Sequence, residues 1–354
     1  MSDGKQPILP EKSITCKGRT SGKKVIDFGN MEQKLPKILA VVGPTCSGKT
    51  GIGIALAKHF GGEVICADSR TVYKGMDIGT AKPDADRGVS SEALAKDEGG
   101  LSIVSLFSSR PRLVEGIPHW GIDLVNPDEV FTVSQFQEYA DSKIAEIIGR
   151  GNIPILVGGT GMYIRAIIDR PNYANTEPDV ALRSELEAMT DNELLEEIAM
   201  RDPDTASTID DRNRRRLIRA LEILRTTGKT LADRQEFAEP IYDTLQIGIT
   251  KPREQLYADI DLRVDEMIGH GLVDEVRKLR EKFGDDCPGM TGIGYRQIID
   301  FFQKKEQLRE AVIRIKYDSH HYAKRQETWF LRDSCILWVQ NKKEAIEKVD
   351  SFLL

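Results

Sequence analysis

No stretch of the 354 residues is apolar for the roughly 20 positions that a bilayer-spanning helix needs, and the N-terminal residues contain no signal-peptide core. A cytoplasmic protein with no membrane partner is expected. Cysteine is scarce: the five, Cys16, Cys46, Cys66, Cys287 and Cys335, form no C-x-x-C pair and no metal-ligand spacing. This argues against a zinc module and for free thiols in a reducing compartment. Nor is positive charge in excess. A net charge of −6 excludes a protein that coats polyanions over its whole surface, while a local basic face stays open. What is there is an ordinary globular composition, 40% hydrophobic and 30% charged. The length suits two domains, or one with a sizeable insertion.

One stretch organises the rest. Residues 38–42 are an apolar run of strand length, Gly43-Pro44-Thr45-Cys46-Ser47-Gly48-Lys49-Thr50 has the form G-x-x-x-x-G-K-[ST], and residues 51–59 read as a helix. This pattern is a phosphate cradle. Gly43 and Gly48 let backbone N–H groups turn inward with no Cβ in the way, and the helix adds its positive N-terminal end. It assigns Lys49 to the terminal phosphates and Thr50 to Mg²⁺.

A second strand, 63–67, delivers Asp68 and Ser69 to the same sheet edge, because ligands of parallel sheets gather at strand carboxyl ends. Asp68 has two roles open to it: a water-linked magnesium carboxylate, as in NTPases, or a general base. A turn or helix-cap aspartate is the bland alternative. Residues 73–83 carry the composition of a functional loop, and 84–116 that of a surface loop, with at most a short strand at 103–107. Residues 131–150 form an amphipathic helix opened by Thr132 or Ser134. A third buried strand, 153–157, ends on Gly158-Gly159-Thr160-Gly161, a second glycine turn at the ligand edge.

This alternation predicts an α/β fold, a P-loop NTPase-like parallel sheet flanked by helices. From 178 the strands stop, and 178–239 read as a helical insertion subdomain. There Arg212, Arg215, Arg216 and Arg219 share a helical spacing, suiting either phosphate contacts or a solvated face. The expected organisation is a disordered extension at 1–35, a first part of the core at 36–177, the insertion, and core completion with C-terminal helices at 240–354. That last part holds a strand at 245–250, a helix or helix pair at 252–279 bearing Arg263, and a glycine-interrupted stretch at 290–297. A long helix at 308–332 follows, with Arg314, Lys316, His320, His321, Lys324 and Arg325. The adjacent histidines point about 100° apart and cannot chelate one metal.

Seven stretches then line up in a familiar order. They are Gly43-Pro-Thr-Cys-Ser-Gly-Lys-Thr50, Asp68-Ser-Arg-Thr-Val-Tyr73, Met76-Asp-Ile-Gly-Thr-Ala-Lys-Pro83 and Leu156-Val-Gly-Gly-Thr160. Next come Arg216-Leu-Ile-Arg-Ala-Leu-Glu222, Ile293-Gly-Tyr-Arg-Gln297 and Tyr322-Ala-Lys-Arg-Gln-Glu-Thr-Trp329. From Lys37 to about Trp338 the chain resembles the bacterial tRNA dimethylallyltransferases, also called tRNA isopentenyltransferases. The resemblance implies transfer of a dimethylallyl group from its diphosphate to the exocyclic N6 of the adenosine 3′ to the anticodon, releasing diphosphate. It makes Gly43, Pro44, Thr45, Cys46, Ser47, Gly48, Lys49, Thr50 and Arg263 the diphosphate site, with Mg²⁺ on Thr50, and Asp68 the base. Lys49, Thr50 and Arg263 then stabilise the departing charge. It implies tRNA contacts at Asp68, Ser69, Arg70, Thr71, Thr160, Arg183, Arg215, Arg216, Arg219, Gly294, Tyr295, Arg296, Lys324, Arg325, Gln326 and Trp329, and a monomer acting on the anticodon stem-loop.

The chain departs from the family at Thr71 (usually Gln), Cys46 (usually Ala), Trp120-Gly121 (commonly His-Leu) and Leu331 (often basic). Two other classes stay open, a P-loop kinase or ATPase and a non-catalytic RNA-binding protein. Within the family, a free adenine nucleotide is the other acceptor, but the basic helices around Arg216 and Lys324 favour a large phosphate-bearing partner.

Overall fold

Period-two alternation decides the middle of the molecule. In β1 (Lys37–Val42), Ile38, Ala40 and Val42 join one apolar cluster and Leu39 and Val41 another, and all five are fully buried. A strand buried on both faces belongs inside a parallel sheet covered by helices on both sides. The computed structural model contains that sheet. It adds β2 (Gly62–Cys66), β3 (Arg112–Val114), β4 (Ile117–Trp120), β5 (Ile153–Gly158), β6 (Asp243–Ile249) and β7 (Ile336–Val339), in the order β3-β4-β2-β5-β1-β6-β7. All neighbouring strands run parallel except β3 against β4. The structure describes residues 34–86, 110–171, 180–228, 230 and 239–354. The expected N-terminal extension up to residue 33 and the strand expected at 103–107 lie outside them.

Helices cover both faces. The first is α1 (Lys49–Phe60), then α2 (Val133–Gly149) and α3 (Gly161–Ile168). Helices α4 (Val180–Ala188), α5 (Asp191–Arg201), α6 (Pro203–Thr208) and α7 (Arg214–Thr227) follow without an intervening strand among the described residues. After β6 come α8 (Arg253–Gly269), α9 (Leu272–Phe283), α10 (Tyr295–Phe302) and α11 (Leu308–Leu331), and α12 (Lys342–Leu353) closes the chain. Ile52 and Leu56 of α1 and Ala345 and Val349 of α12 pack with Leu39, Val41, Ile155 and Ile247 on one face. Phe136 and Ile144 of α2, Ile164 of α3, Val264 of α8 and Ile315 of α11 share the cluster on the other.

Contacts divide the chain into two compact units. One joins the residues up to Ile168 with Ile241–Leu354, and the other is Asp169–Pro240. The second carries its own apolar cluster, including Leu186, Leu194, Ile198, Leu217 and Leu221.

Local chemistry explains the element ends. Thr132, not Ser134, caps α2, in a reciprocal box with Gln135. The stretch expected as one helix or two breaks at Gly271, whose φ of 97° suits glycine. Two readings need correction. The 84–116 stretch is not all surface loop: Arg112–Val114 forms β3, and Arg112 donates to Asp77 and Asp123 at 3.1 and 3.0 Å. The C-terminal strand β7 and helix α12 had no motif to announce them. Finally, Cys46, Cys66 and Cys287 are free thiols, but Cys335, expected to be one, is disulfide-bonded. Among the described residues no helix is long and apolar enough to cross a membrane.

Trp120, one of the departures from the family pattern, has a partner that accounts for it. Its Nε1 donates at 2.7 Å to the buried carboxylate of Glu63, which also accepts from Arg150 at 2.9 and 3.0 Å and from Asn152 at 2.8 Å. Burial pushes the Glu63 carboxyl up, but the hydrogen bonds from Arg150, Asn152 and Trp120 outweigh this and hold its pKa below the usual value. A lowered carboxylate stabilises the fold above its unfolded pKa, and that contribution is lost as pH falls through the folded value. Glu63→Ala is therefore expected to lose about 3 kcal/mol in denaturant unfolding at neutral pH. The difference from wild type should shrink below about pH 4, the ordinary carboxylate range.

Candidate active site

The phosphate loop leaves β1 under tight constraint. Gly43 has φ 152° and Gly48 φ 94°, and a Cβ on Gly43 would lie 2.2 Å from the Ile249 carbonyl at the end of β6. No other residue fits at 43. Lys49 folds back over the loop, its Nζ donating to the Pro44 carbonyl at 3.0 Å. Burial lowers its pKa to about 8; Asp68 pulls the other way, and Arg263 adds to the lowering. The Ser47 hydroxyl is buried without a hydrogen-bond partner among the described residues, and Thr50 is exposed in the first turn of α1.

Arg263 reaches this loop from α8, far away in sequence. Its Nη1 donates to Thr45 Oγ1 at 3.2 Å and to Cys46 Sγ at 3.4 Å. Asp68 follows β2 and turns the chain there, Oδ1 accepting from the Arg70 N–H at 2.8 Å. The other carboxylate oxygen takes no protein hydrogen bond among the described residues. The second glycine turn joins the same edge: the Ser69 N–H donates to Thr160 Oγ1 at 3.0 Å, and the Thr160 N–H to the Ala67 carbonyl at 3.2 Å. Lys49, Asp68 and Arg263 thus share one electrostatic neighbourhood. Two cations and a carboxylate beside a phosphate cradle can hold a polyphosphate and accept a proton next to it.

Comparison with known proteins narrows the chemistry. Residues 36–94 match the family model described as isopentenyl transferase, and residues 104–333 that described as IPP transferase. The tRNA dimethylallyltransferase of Roseiflexus sp. (strain RS-1) is 40% identical over 300 residues, which is 83% of this chain and 90% of the relative. The chain belongs to the tRNA dimethylallyltransferase family. Another member, from Oceanobacillus iheyensis, is 38% identical over 90% of this chain and 95% of its own. Among solved structures, the full-length tRNA isopentenylpyrophosphate transferase of Bacillus halodurans matches with TM-score 0.61 and 36% identity, over 90% of this chain and 96% of that one. A eukaryotic dimethylallyltransferase described as acting on tRNA matches with TM-score 0.70 and 26% identity, over 90% and 79%.

Membership in the dimethylallyltransferase family does not make every implied RNA contact available. Arg183 and Arg219 both grip the buried Glu222, at 3.0 and 2.7 Å, where an unpaired carboxylate would be costly. Arg212 precedes α7 instead of sharing its face, its N–H bonded to Asp210. Arg215 and Arg216 are exposed with no ion pair among the described residues. Arg70 donates to the Pro288 carbonyl and Thr291 at 3.2 Å, while Arg296 pairs with Asp318. Tyr295 is buried against Gly79, its hydroxyl donating to Glu275 at 2.6 Å. Thr71 is buried, donating to the Asp68 carbonyl. Lys324 is exposed, and Arg325 is exposed with its guanidinium 5.8 Å from the Tyr322 ring centre.

Three residues escaped the sequence reading. Glu275 accepts from the N–H groups of Asp77, Ile78 and Gly79 at 2.7–3.1 Å, tying the 76–83 loop to Tyr295. Lys82 is buried between Asp123, Asp77 and the Tyr73 carbonyl. Tyr322 shares the electrostatic neighbourhood of Asp68, and burial pushes its phenol up. Only Lys82 and Tyr322 lay within recognisable motifs.

Lys49 makes the site pH-sensitive. Its protonated form attracts a diphosphate, so affinity for inorganic diphosphate should weaken as pH rises past about 8. Lys49→Met should bind more weakly and show a flatter profile, the ligand's own titration being common to both. Calorimetric Kd values from about pH 6.5 to 9.5 read the difference, bracketing the lowered lysine value and staying below the ordinary one.

Proposed function

We propose that this chain transfers the dimethylallyl group of dimethylallyl diphosphate to N6 of the adenosine 3′ to the anticodon of a tRNA. The observation that carries the reading is the meeting of the 43–50 cradle, Arg263 and Asp68 at one sheet edge in a member of this family. All three come from one chain, so the reading needs no second copy.

The reaction forms a bond from N6 to the first carbon of the dimethylallyl group and breaks that carbon's bond to the diphosphate oxygen. The electron pair leaves with diphosphate, and the N6 proton passes to Asp68. Lys49 and Arg263 meet charge that grows on the departing oxygen. Magnesium would enter as a companion of the diphosphate, beside the loop that Thr50 closes in the first turn of α1. Mg²⁺ of this kind keeps few protein ligands and binds mainly through phosphates; the exposed Thr50 hydroxyl is the protein oxygen at hand. When bound, it supplies neutralisation of phosphate charge. The acceptor base is stacked in the anticodon loop and must be extruded to reach Asp68, with exposed Arg215, Arg216, Lys324 and Arg325 available to the RNA phosphates.

Labelled dimethylallyl diphosphate offered with an anticodon stem-loop, with AMP and, separately, ATP offered alone, tests the reading. Label should pass to the stem-loop alone, and ATP should not turn over. Asp68→Ala should lower kcat about 10²–10⁴-fold with donor Kd nearly unchanged, as expected for a lost positioned base. Arg216→Ala and Lys324→Ala should weaken stem-loop binding, steeply dependent on salt, and spare the donor. Equal use of AMP and the stem-loop would overturn the acceptor, and ATP turnover would restore the kinase reading.

A further inference from the structure

We propose that Gln326 is a positioning residue that holds the phosphate loop, not a contact to RNA. Family resemblance groups it with the RNA-facing residues of 324–329, but its amide points inward and is spent. Oε1 accepts from the Thr45 N–H at 2.9 Å, and Nε2 donates to the Gly159 carbonyl at 2.9 Å. The orientation of the amide follows from its partners, since an N–H only donates and a carbonyl only accepts. Gln326 is 5% exposed. Gly159 has room for it only as glycine: a Cβ there would stand 2.2 Å from Nε2.

The brace joins the two glycine turns of the site. Thr45 is also the residue whose hydroxyl accepts from Arg263, so a chain of bonds runs from Arg263 through Thr45 and Gln326 to Gly159. The rest of that α11 segment docks on the same edge. Glu327 accepts from Thr250 beyond β6 at 3.0 Å, and Trp329 packs where Gly161 lacks a side chain. Segment 326–329 therefore clasps the ends of three strands, and Gln326 fixes the cradle that Lys49 and Arg263 line. Truncating its amide would leave a half-buried N–H and a buried carbonyl without this partner.

The proposal rests on the donor being a diphosphate, so the probes keep its failure separate from that of the transfer reaction. Gln326→Met and Gln326→Glu are compared with wild type by inorganic diphosphate Kd with Mg²⁺, stem-loop Kd, dimethylallyl diphosphate KM and kcat, and melting temperature. In Gln326→Met the diphosphate Kd and donor KM should rise about tenfold, the size of one lost buried hydrogen bond, with stem-loop Kd unchanged. Gln326→Glu should bind as weakly at pH 8 and recover as pH falls. Its protonated carboxyl can both accept from Thr45 and donate to Gly159, and burial raises its pKa. The methionine variant has no such rescue. Gly159→Ala, which crowds the amide with Gln326 in place, should weaken diphosphate binding likewise and replaces Gln326→Met if that variant fails to fold. A rise in stem-loop Kd with diphosphate Kd unchanged would overturn the proposal, as would a lower melting temperature with both Kd values unchanged. Wild-type protein that binds diphosphate without transferring to RNA would instead count against the reaction and leave the brace testable.

Discussion

The site depends on how closely three parallel strands end together. Val42, the last residue of β1, is in register with Gly158 of β5 and Gly248 of β6. Side chains there would collide: a Cβ on Gly158 would lie 2.0 Å from the Ala67 carbonyl, and one on Gly248 2.5 Å from Ile336. Main chain therefore crowds main chain at Gly158, the side chains of Ile336 and Trp338 fill the space at Gly248, and loops leaving this edge start from a fixed base. Phosphate recognition by backbone N–H groups needs this, because such groups cannot adjust as a flexible side chain can.

Many of the described cations are answered by carboxylates, which fits the net acidity of the chain. Arg225 is held by Glu197 and Glu185, Arg314 by Glu306 and Asp300, Lys316 by Asp265, and Arg183 with Arg219 by Glu222. A basic helix read along the sequence thus overstates the charge offered to a polyanion. Lys49 and Arg263 differ: their hydrogen bonds go to a carbonyl, a hydroxyl and a thiol, none of which neutralises them. Positive charge left unmatched at a sheet edge is what a diphosphate can use.

The cradle, the Asp68 turn, the second glycine turn and the helical character of the insertion were all legible, since each depends on residue types close together in the chain. Partnership was not. Gln326 and Thr45 are 281 positions apart, and Arg263 and Thr45 218, so no local pattern says that one side chain will be spent on the other. Glu222, which occupies two of the arginines expected at RNA, looks in sequence like any solvated helix glutamate. Strands β3 and β7 have three and four residues, too few for alternation to show, and owe their existence to sheet edges already formed. The closeness of Asp68 to Lys49 followed from the strand-end rule, whereas the burial of Tyr295 depended on Glu275, which no motif marked.

Two groups of the site work against the fold. Burial and the neighbouring Arg263 disfavour the charged form of Lys49, and the hydroxyl of Ser47 is buried with no partner among the described residues. Because the folded pKa of Lys49 lies below that of the unfolded chain, folding at neutral pH must keep a proton that its surroundings disfavour. Stability accordingly rises with pH between the two values. The diphosphate proposed for this site would reverse each term, supplying negative charge beside the ammonium and acceptors for the hydroxyl. A loop strained in this way has to be held by something other than its ligand. This gives a physical reason for the chain to return to the sheet after the 169–240 unit. Strand β6 lines Gly43, α8 brings Arg263 to Thr45, and α11 closes Gln326 over both glycine turns. The insertion interrupts the sequence between the cradle and its supports, but the supports and the cradle belong to one unit.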